Sequence, residues 1–274
     1  MSSVYKYFPP DRKSFLEDFL IRFSPPVELN DPFECLPAFT LADLEKIAAH
    51  VRESIERRHN ADDAPEDIRE IANEIMEIKK KKALERYDSL DKVRSACYDI
   101  AGSNINSGLG ILSLSRRWNS SLMWSHYTSS YSGFCVGFNS LHDYFKGDGS
   151  SLGNRSKLLS VRYSEKRVVV PPGDFTEEDI RDILLTKSKD WEYEQEERLI
   201  SSLFLATQRK HKEPYPIDLF KLPSDAVTEI IVGSRMDSKI LEFVKTASSA
   251  LNVKLYQTKA SEMTFDIDRI EIEI

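Results

Sequence analysis

The sequence predicts an α+β fold, and three observations carry that expectation. Short apolar strand patterns stand towards both ends of the chain. A charged, helix-patterned block at about residues 40–101 separates them, with no glycine in it until Gly102. Strands and helices do not alternate regularly, which argues against a doubly wound sheet. The expectation is one domain over residues 1–274 with a helical insertion at about 40–101.

The elements follow in order. Val4 to Phe8 reads as a first strand, stopped by Pro9 and Pro10, and Arg12 to Leu20 as a helix with an apolar stripe. Ile21 to Ser24 is a short strand or extended turn, and Leu29-Asn-Asp-Pro-Phe-Glu34 is a polar turn. Thr40 can cap a helix running through Leu41, Leu44, Ile47, Ala48, Val51 and Ile55. Residues 60–65 break it, a second helix starts near Pro65, and a third covers about Asp91 to Ile100. Strands are expected at Leu109–Ser115, Gly133–Phe138, Leu158–Tyr163 and Val168–Val170, with a helical turn at Leu122–Tyr127. The composition of Gly147 to Asn154 is that of a loop. A helix over Glu177–Lys189 leads into an acidic stretch and a strand at Arg198–Phe204. Gln208–Pro216 reads as loop, Val227–Val232 as strand, Ser238–Leu251 as helix and Lys254–Gln257 as strand. The last segment changes phase between Ile267 and Ile270, which suggests a bulge near Arg269.

Composition excludes several function classes. No apolar run reaches the roughly 20 residues that span a bilayer. The N-terminus lacks the apolar core of a secretory signal, so a cytoplasmic protein is expected. Three widely spaced cysteines form no Cys-x-x-Cys pair and five scattered histidines form no ligand spacing, so no metal site is expected and the thiols read as buried. A net charge of −7 argues against broad nucleic-acid binding, although a local basic groove is compatible with it. Glycine-rich phosphate loops and the Gly-x-Ser-x-Gly elbow are missing from the sequence. The lysine run Lys79–Lys82 reads first as a solvated helix face.

Polar residues bounded by aromatics remain at three places. The first is Tyr5-Lys6-Tyr7 with Ser24, Asn30 and Asp31; the second is Met123-Trp-Ser125-His126-Tyr127. The third is the acidic run, where a strand would put Glu194, Glu196 and Arg198 on one face. That row is either a self-neutralising ladder or a site. Aromatics beside a histidine suit a flat cationic or heteroaromatic ligand. Paired carboxylates suit a transition state with positive charge on a sugar carbon, as in glycosidic cleavage. A well-placed carboxylate there is worth on the order of 3 kcal/mol.

Five segments together resemble a widespread bacterial family catalogued as a domain of unknown function. They are Tyr5-Lys-Tyr7, Phe23-Ser with Leu29-Asn-Asp-Pro-Phe-Glu34, Met123–Tyr127, Gly133-Phe-Cys-Val-Gly-Phe138 and Trp191-x-Tyr-Glu-x-Glu-x-Arg198. The resemblance spans about residues 4–200 and leaves out the 40–101 block. That family looks like a divergent branch of the ADP-ribosyltransferases, some of them toxins of phage-defence or toxin–antitoxin systems. The resemblance implies split small sheets with NAD+ as substrate in a cleft between them. Glu196 takes the catalytic glutamate position, bonding a ribose hydroxyl and stabilising the oxocarbenium ion, and Glu194 takes the position that orients or deprotonates the acceptor. His126 and Tyr127 lie against nicotinamide, and Asn30 and Asp31 shape the loop over it. Lys6 stands where many members carry histidine or arginine. Tyr7, Ser24 and Ser125 complete the expected lining. Glu192 and Glu197 fall to the surface.

The expected function is therefore transfer of ADP-ribose from NAD+ to a protein or nucleic-acid acceptor, by a toxin or phage-defence effector. Arg116, Arg117, Lys187 and Lys189 are candidates for holding diphosphate or an acidic acceptor. Two readings compete with it. One is NAD+ hydrolysis without an acceptor. The other is a non-catalytic module whose Glu194, Glu196 and Arg198 form an ion-pair ladder and whose 40–101 helices bind a partner such as an antitoxin.

Overall fold

A computed structural model describes residues 3–58, 69–106, 108–148, 154–171 and 175–273. The strands are β1 (Ser3–Phe8), β2 (Leu20–Phe23), β3 (Leu109–Ser115), β4 (Phe134–Asn139), β5 (Leu159–Ser160), β6 (Arg162–Ser164), β7 (Thr186–Ser188), β8 (Glu196–Ser202), β9 (Gln208–Lys210), β10 (Ile217–Lys221), β11 (Val227–Val232), β12 (Lys254–Ala260) and β13 (Ile267–Ile272). The α-helices are α1 (Phe15–Asp18), α2 (Leu41–Arg58), α3 (Arg69–Arg86), α4 (Leu90–Asn106), α5 (Ser121–Tyr127), α6 (Glu177–Leu184) and α7 (Ser238–Leu251). The fold is α+β, and no helix among the described residues is long and apolar enough to cross a membrane.

The chain divides into two compact units. One holds residues 1–34, 108–165 and 185–274; the other holds residues 35–107 and 166–184. The helical insertion is thus wider than the block at 40–101 and recruits a second stretch of chain. In that unit α2 packs on α4 through Leu44, Ala48, Val93 and Cys97. Thr40 Oγ1 accepts from the Asp43 amide at 3.2 Å, capping α2 as its sequence predicts. The expected break at 60–65 and helix start at Pro65 lie outside the described residues, as does most of the loop at 147–154.

Among the described residues the strands form three sheets. The largest has the order β13-β12-β11-β4-β1-β3-β8-β5, the second β2-β10-β9, and the third β6-β7. The division is unequal, unlike the two small sheets expected. One face of the large sheet carries the main core, where Phe8 stacks between Phe15 and Phe134 at 4.7 and 5.1 Å between ring centroids. The other face carries Tyr5, Tyr7, Met123 and Trp124. Trp124 is fully buried, its ring edge-on to Tyr7 and stacked on Tyr131, and its Nε1 donates to the Trp118 carbonyl at 2.7 Å. Burying such a ring is worth on the order of 5 kcal/mol, which anchors α5 and with it Tyr127. Gly133 is required by a close approach, because a Cβ there would lie 2.0 Å from the Phe8 carbonyl oxygen.

Several expectations are corrected. Arg12–Leu20 is not one helix: Pro10–Ser14 is 3-10, α1 lasts one turn, and Phe19 turns left-handed (φ 52°) so that Leu20 can enter β2. Val168–Val170 forms no strand, only a bridge between Val169 and Ala38. The helix from Glu177 stops at Leu184, and Thr186–Ser188 extends to pair with β6 instead. Gln208–Pro216 is not all loop, since β9 occupies its start, and β10 follows at Ile217. No bulge falls at Arg269: β12 and β13 keep register through six consecutive pairs, Arg269 opposite Thr258. The phase change arises because the sheet is covered on both sides: Ile267 packs with the cluster of Tyr5, Tyr7 and Trp124, while Ile272, on the other phase, packs against the main core. All three cysteines are free and buried.

Candidate active site at a parted strand edge

The candidate site follows from how β3 is paired. One edge pairs with β8 along its whole length. The other edge is shared out. Ser115 meets Tyr5 of β1, while Ile111 exchanges two backbone hydrogen bonds with Ser24, just beyond β2, at 2.9 and 2.8 Å. Between them β1 and Ser24 diverge. The Lys6 Nζ reaches across and donates to the Ser113 carbonyl at 2.9 Å. A buried backbone carbonyl needs a partner, and here a lysine supplies it where no strand does.

The parting opens a cavity of about 170 Å³. Its walls include Lys6 and Tyr7 from β1, Ser24 and Asn30 from the segment after β2, Tyr127 from α5, and Glu194 and Glu196. An outer depression of about 520 Å³ adjoins it and shares Tyr7, Asn30 and Tyr127 with it; its other walls include His126 and Trp191. Tyr127 and Asn30 thus stand between an inner polar chamber and an outer aromatic one, their side chains linked at 3.4 Å.

A charge cluster floors the inner chamber. The Lys187 Nζ donates to Glu194 Oε2 at 2.6 Å and Glu196 Oε2 at 2.9 Å, lies 3.7 Å from Glu34 Oε2, and sits 4.9 Å above the Trp191 ring. Arg198 donates Nε to Glu196 Oε1 at 2.8 Å and Nη2 to Glu196 Oε2 at 3.0 Å, and pairs with Glu34. The remaining Glu194 oxygen accepts from the Tyr127 hydroxyl at 2.6 Å. Glu34, Glu194, Glu196, Lys187 and Arg198 are all buried. Three carboxylates therefore face Lys187, Arg198 and the half-buried Lys6, an arrangement that is electrically balanced while Lys6 keeps its proton. Such balance is what lets buried charges avoid an uncompensated desolvation cost.

Titration follows the geometry. Burial lowers the Lys6 pKa to about 8, partly offset by Glu196 and Glu194. Burial also works against the Lys187 ammonium, but Glu196 and Glu194 together outweigh it and raise its pKa. Burial raises Glu196, opposed by Lys187 and a Ser113 hydrogen bond. Burial and the adjacent Glu194 carboxylate both raise Tyr127.

Local backbone places each side chain. Gln195 is left-handed (φ 44°), so Glu194 ends a 3-10 turn and does not share the strand face with Glu196 and Arg198 as predicted. Ser115 Oγ clamps that turn by donating to the Glu194 carbonyl at 2.5 Å. The Glu196 amide donates to the Tyr163 hydroxyl at 2.7 Å. Asp31 is buried and accepts from the Phe33 amide at 2.9 Å, a turn that delivers Glu34 to the cluster.

Of the predicted site residues, Lys6, Tyr7, Ser24, Asn30, Tyr127, Glu194 and Glu196 line the inner cavity. His126 reaches only the outer depression. Ser125 is exposed and lines neither, and Asp31 serves the turn. Glu197 is not a surface group: it is buried, accepts from Ser160 at 2.8 Å and pairs with Arg116. Lys189 is exposed and pairs with Glu165, away from the cluster. Glu34 was missed, although it closes the Asn-Asp-Pro-Phe-Glu run that drew attention to its neighbours.

No curated protein and no solved structure matches the chain. A family profile does match part of it, from the helix that carries Tyr127 to the strand that carries Glu196 and Arg198. Residues 123–199 hold a domain described as "Protein of unknown function (DUF2971)".

Proposed function

We propose that the parted edge of β3 binds NAD+ and that the protein transfers its ADP-ribose to a macromolecular acceptor, protein or nucleic acid. The observation that carries this reading is the Tyr127–Glu194 hydrogen bond between the two chambers. A dinucleotide needs an aromatic place for nicotinamide, a carboxylate at the neighbouring ribose and a cation for its phosphates. The outer chamber offers Tyr7, His126, Tyr127 and Trp191, the boundary offers Glu194, and the inner chamber offers Lys6. In this reading the bond from nicotinamide nitrogen to the ribose carbon breaks with its electron pair leaving on nicotinamide. Glu194 stabilises the cation left on the sugar. The acceptor's nucleophile then closes on that carbon and its proton passes to a carboxylate.

The hydrogen bonding reorders the two glutamates. Both Glu196 oxygens are occupied by Arg198 and Lys187, whereas Glu194 Oε1 is held by a single neutral hydroxyl. Glu194 becomes the group at the reacting carbon, and Glu196 the group that holds Lys187 and so positions Glu194. An ADP-ribosyltransferase of this kind fits a toxin or phage-defence effector whose activity an antitoxin would restrain.

A second reading has its own observation. The compensated cluster is also what a purely structural ion-pair core contains, and the chain would then be a binding module. Nicotinamide release from NAD+ by purified protein, with and without lysate as acceptor source, separates them. Release lost in Glu194→Gln with folding intact supports the transferase; no release from any preparation supports the module.

A further inference from the structure

The second sheet carries a run of positive charge that the candidate site does not use. Gln208-Arg-Lys-His-Lys212 covers β9 and the segment after it, exposed throughout, in a chain whose net charge is −7. Strand pairing fixes where it points. Gln208 stands opposite Leu219 of β10, and Leu219 opposite Arg22 of β2, so Gln208, Lys210 and Arg22 share one face of that sheet. Arg22 lines the inner cavity and pairs with Glu28, which lines it too. Arg209 turns the other way, onto the buried Asp218 at 2.6 Å.

Lys212 links the run to the cavity. Its Nζ lies 3.9 Å from Glu28 Oε1, and its side chain is 49% exposed where that of Glu28 is 18% exposed. The carboxylate is thus tucked between two cations, with Lys212 outermost. A lysine on an edge strand such as β9 serves by itself as a guard against strand pairing. Cations that lead from that edge to a cavity wall go beyond a guard. Phe204, on the 3-10 turn Leu203–Leu205 just before β9, is 83% exposed. Cations hold phosphates and a bare ring stacks on bases, the combination by which single strands are bound without sequence preference. An acidic protein would use the lysines and leave the ring idle, and the bases of a duplex are already stacked on one another.

We infer that the β9–β10 hairpin binds single-stranded nucleic acid through Lys210, Lys212 and Phe204 and leads it to the parted edge of β3. The surface stands on its own geometry; that the bound strand is the ADP-ribose acceptor rests on the transferase reading.

Fluorescence anisotropy of a labelled single strand of about 20 nucleotides with the full chain tests the surface without NAD+. The strand binds, and a duplex of the same sequence binds more weakly. Each phosphate contact adds roughly 0.7 to the slope of log affinity against log salt, so the two lysines account for about a sevenfold fall between about 50 and 200 mM salt. Lys210→Gln combined with Lys212→Gln binds at least about tenfold more weakly at the lower salt and loses about 1.4 from the slope. Phe204→Ala weakens binding several-fold with the slope unchanged. All three side chains are exposed, and circular dichroism of each variant reports the retained fold. A wild type that does not bind the strand overturns the inference. So does a duplex bound as tightly, or a lysine variant with wild-type affinity and slope. Poly-glutamate bound in place of the strand would assign the surface to an acidic protein instead. Nicotinamide release is scored separately. A chain that binds the strand but releases none keeps the surface and loses the acceptor role. One that releases nicotinamide without binding the strand keeps the transferase reading and loses this inference.

Discussion

The Tyr127 hydroxyl donates to Glu194 at 2.6 Å, and Glu194 in turn accepts from Lys187 at the same distance. One carboxylate is thereby held between a neutral donor at the mouth of the inner chamber and a cation on its floor. Tyr127→Phe removes the donor on the side where substrate would arrive. Losing a hydrogen bond to a charged group costs about 1.5–3 kcal/mol. Nicotinamide release is expected to fall roughly ten- to hundredfold in kcat, with a smaller change in KM. A variant with wild-type kcat would remove Tyr127 from the site.

Lys187 holds the cluster together. Lys187→Met leaves Glu194 and Glu196 buried without their shared cation, an error that costs about 3–5 kcal/mol. A melting temperature lowered by about 10 °C is expected. The control is Lys189→Met. That lysine is exposed and 3.8 Å from an exposed Glu165, so its loss changes stability by less than about 0.5 kcal/mol.

Lys6 sets a pH dependence. Its pKa falls from 10.5 in the unfolded chain to about 8 in the fold. Below pH 8 both states hold the proton. Between pH 8 and 10.5 the unfolded state holds more, so this group's contribution to stability rises with pH across that window. Ligand binding runs the other way, because the ammonium that would face diphosphate is lost above pH 8. Calorimetry should show NAD+ affinity falling about tenfold between pH 7 and pH 9. Lys6→Met should bind weakly at both values, and a wild type with flat affinity would exclude Lys6 as the phosphate contact.

Asp31 is predicted to matter for placement, not chemistry. Asp31→Ala removes the turn bond to Phe33 that sets the path to Glu34. A loss of about 1 kcal/mol in urea unfolding is expected, with kcat reduced less than in Tyr127→Phe.

Much of this was legible in the sequence, for physical reasons. Apolar runs located the inner strands β3, β4 and β11, which are covered on both sides, and apolar periodicity with polar caps located α2, α5 and α7. The aromatic–polar clusters led to Lys6, Asn30 and Tyr127, which do share a cavity. What stayed hidden was backbone that defies local pattern. Nothing in Tyr193-Glu-Gln-Glu signals a left-handed Gln195, so Glu194 was placed on the strand. Lys187 looked like helix because its neighbours favour helix, yet pairing with β6 extends it. Glu197 looked solvated because the run is acidic, and only the strand register reveals Leu114 opposite it and Ser160 beside it. The parted edge of β3 is a property of three segments distant in sequence, and no local window contains it.

The proposed chemistry turns on the order of the two glutamates. Steady-state nicotinamide release from NAD+ should be measured for Glu194→Gln and Glu196→Gln, each checked for folding by its melting transition. Glu194→Gln is predicted to lose at least a hundredfold in kcat with its fold retained, and Glu196→Gln to lose stability along with activity. A folded Glu194→Gln enzyme with wild-type release would contradict the assignment.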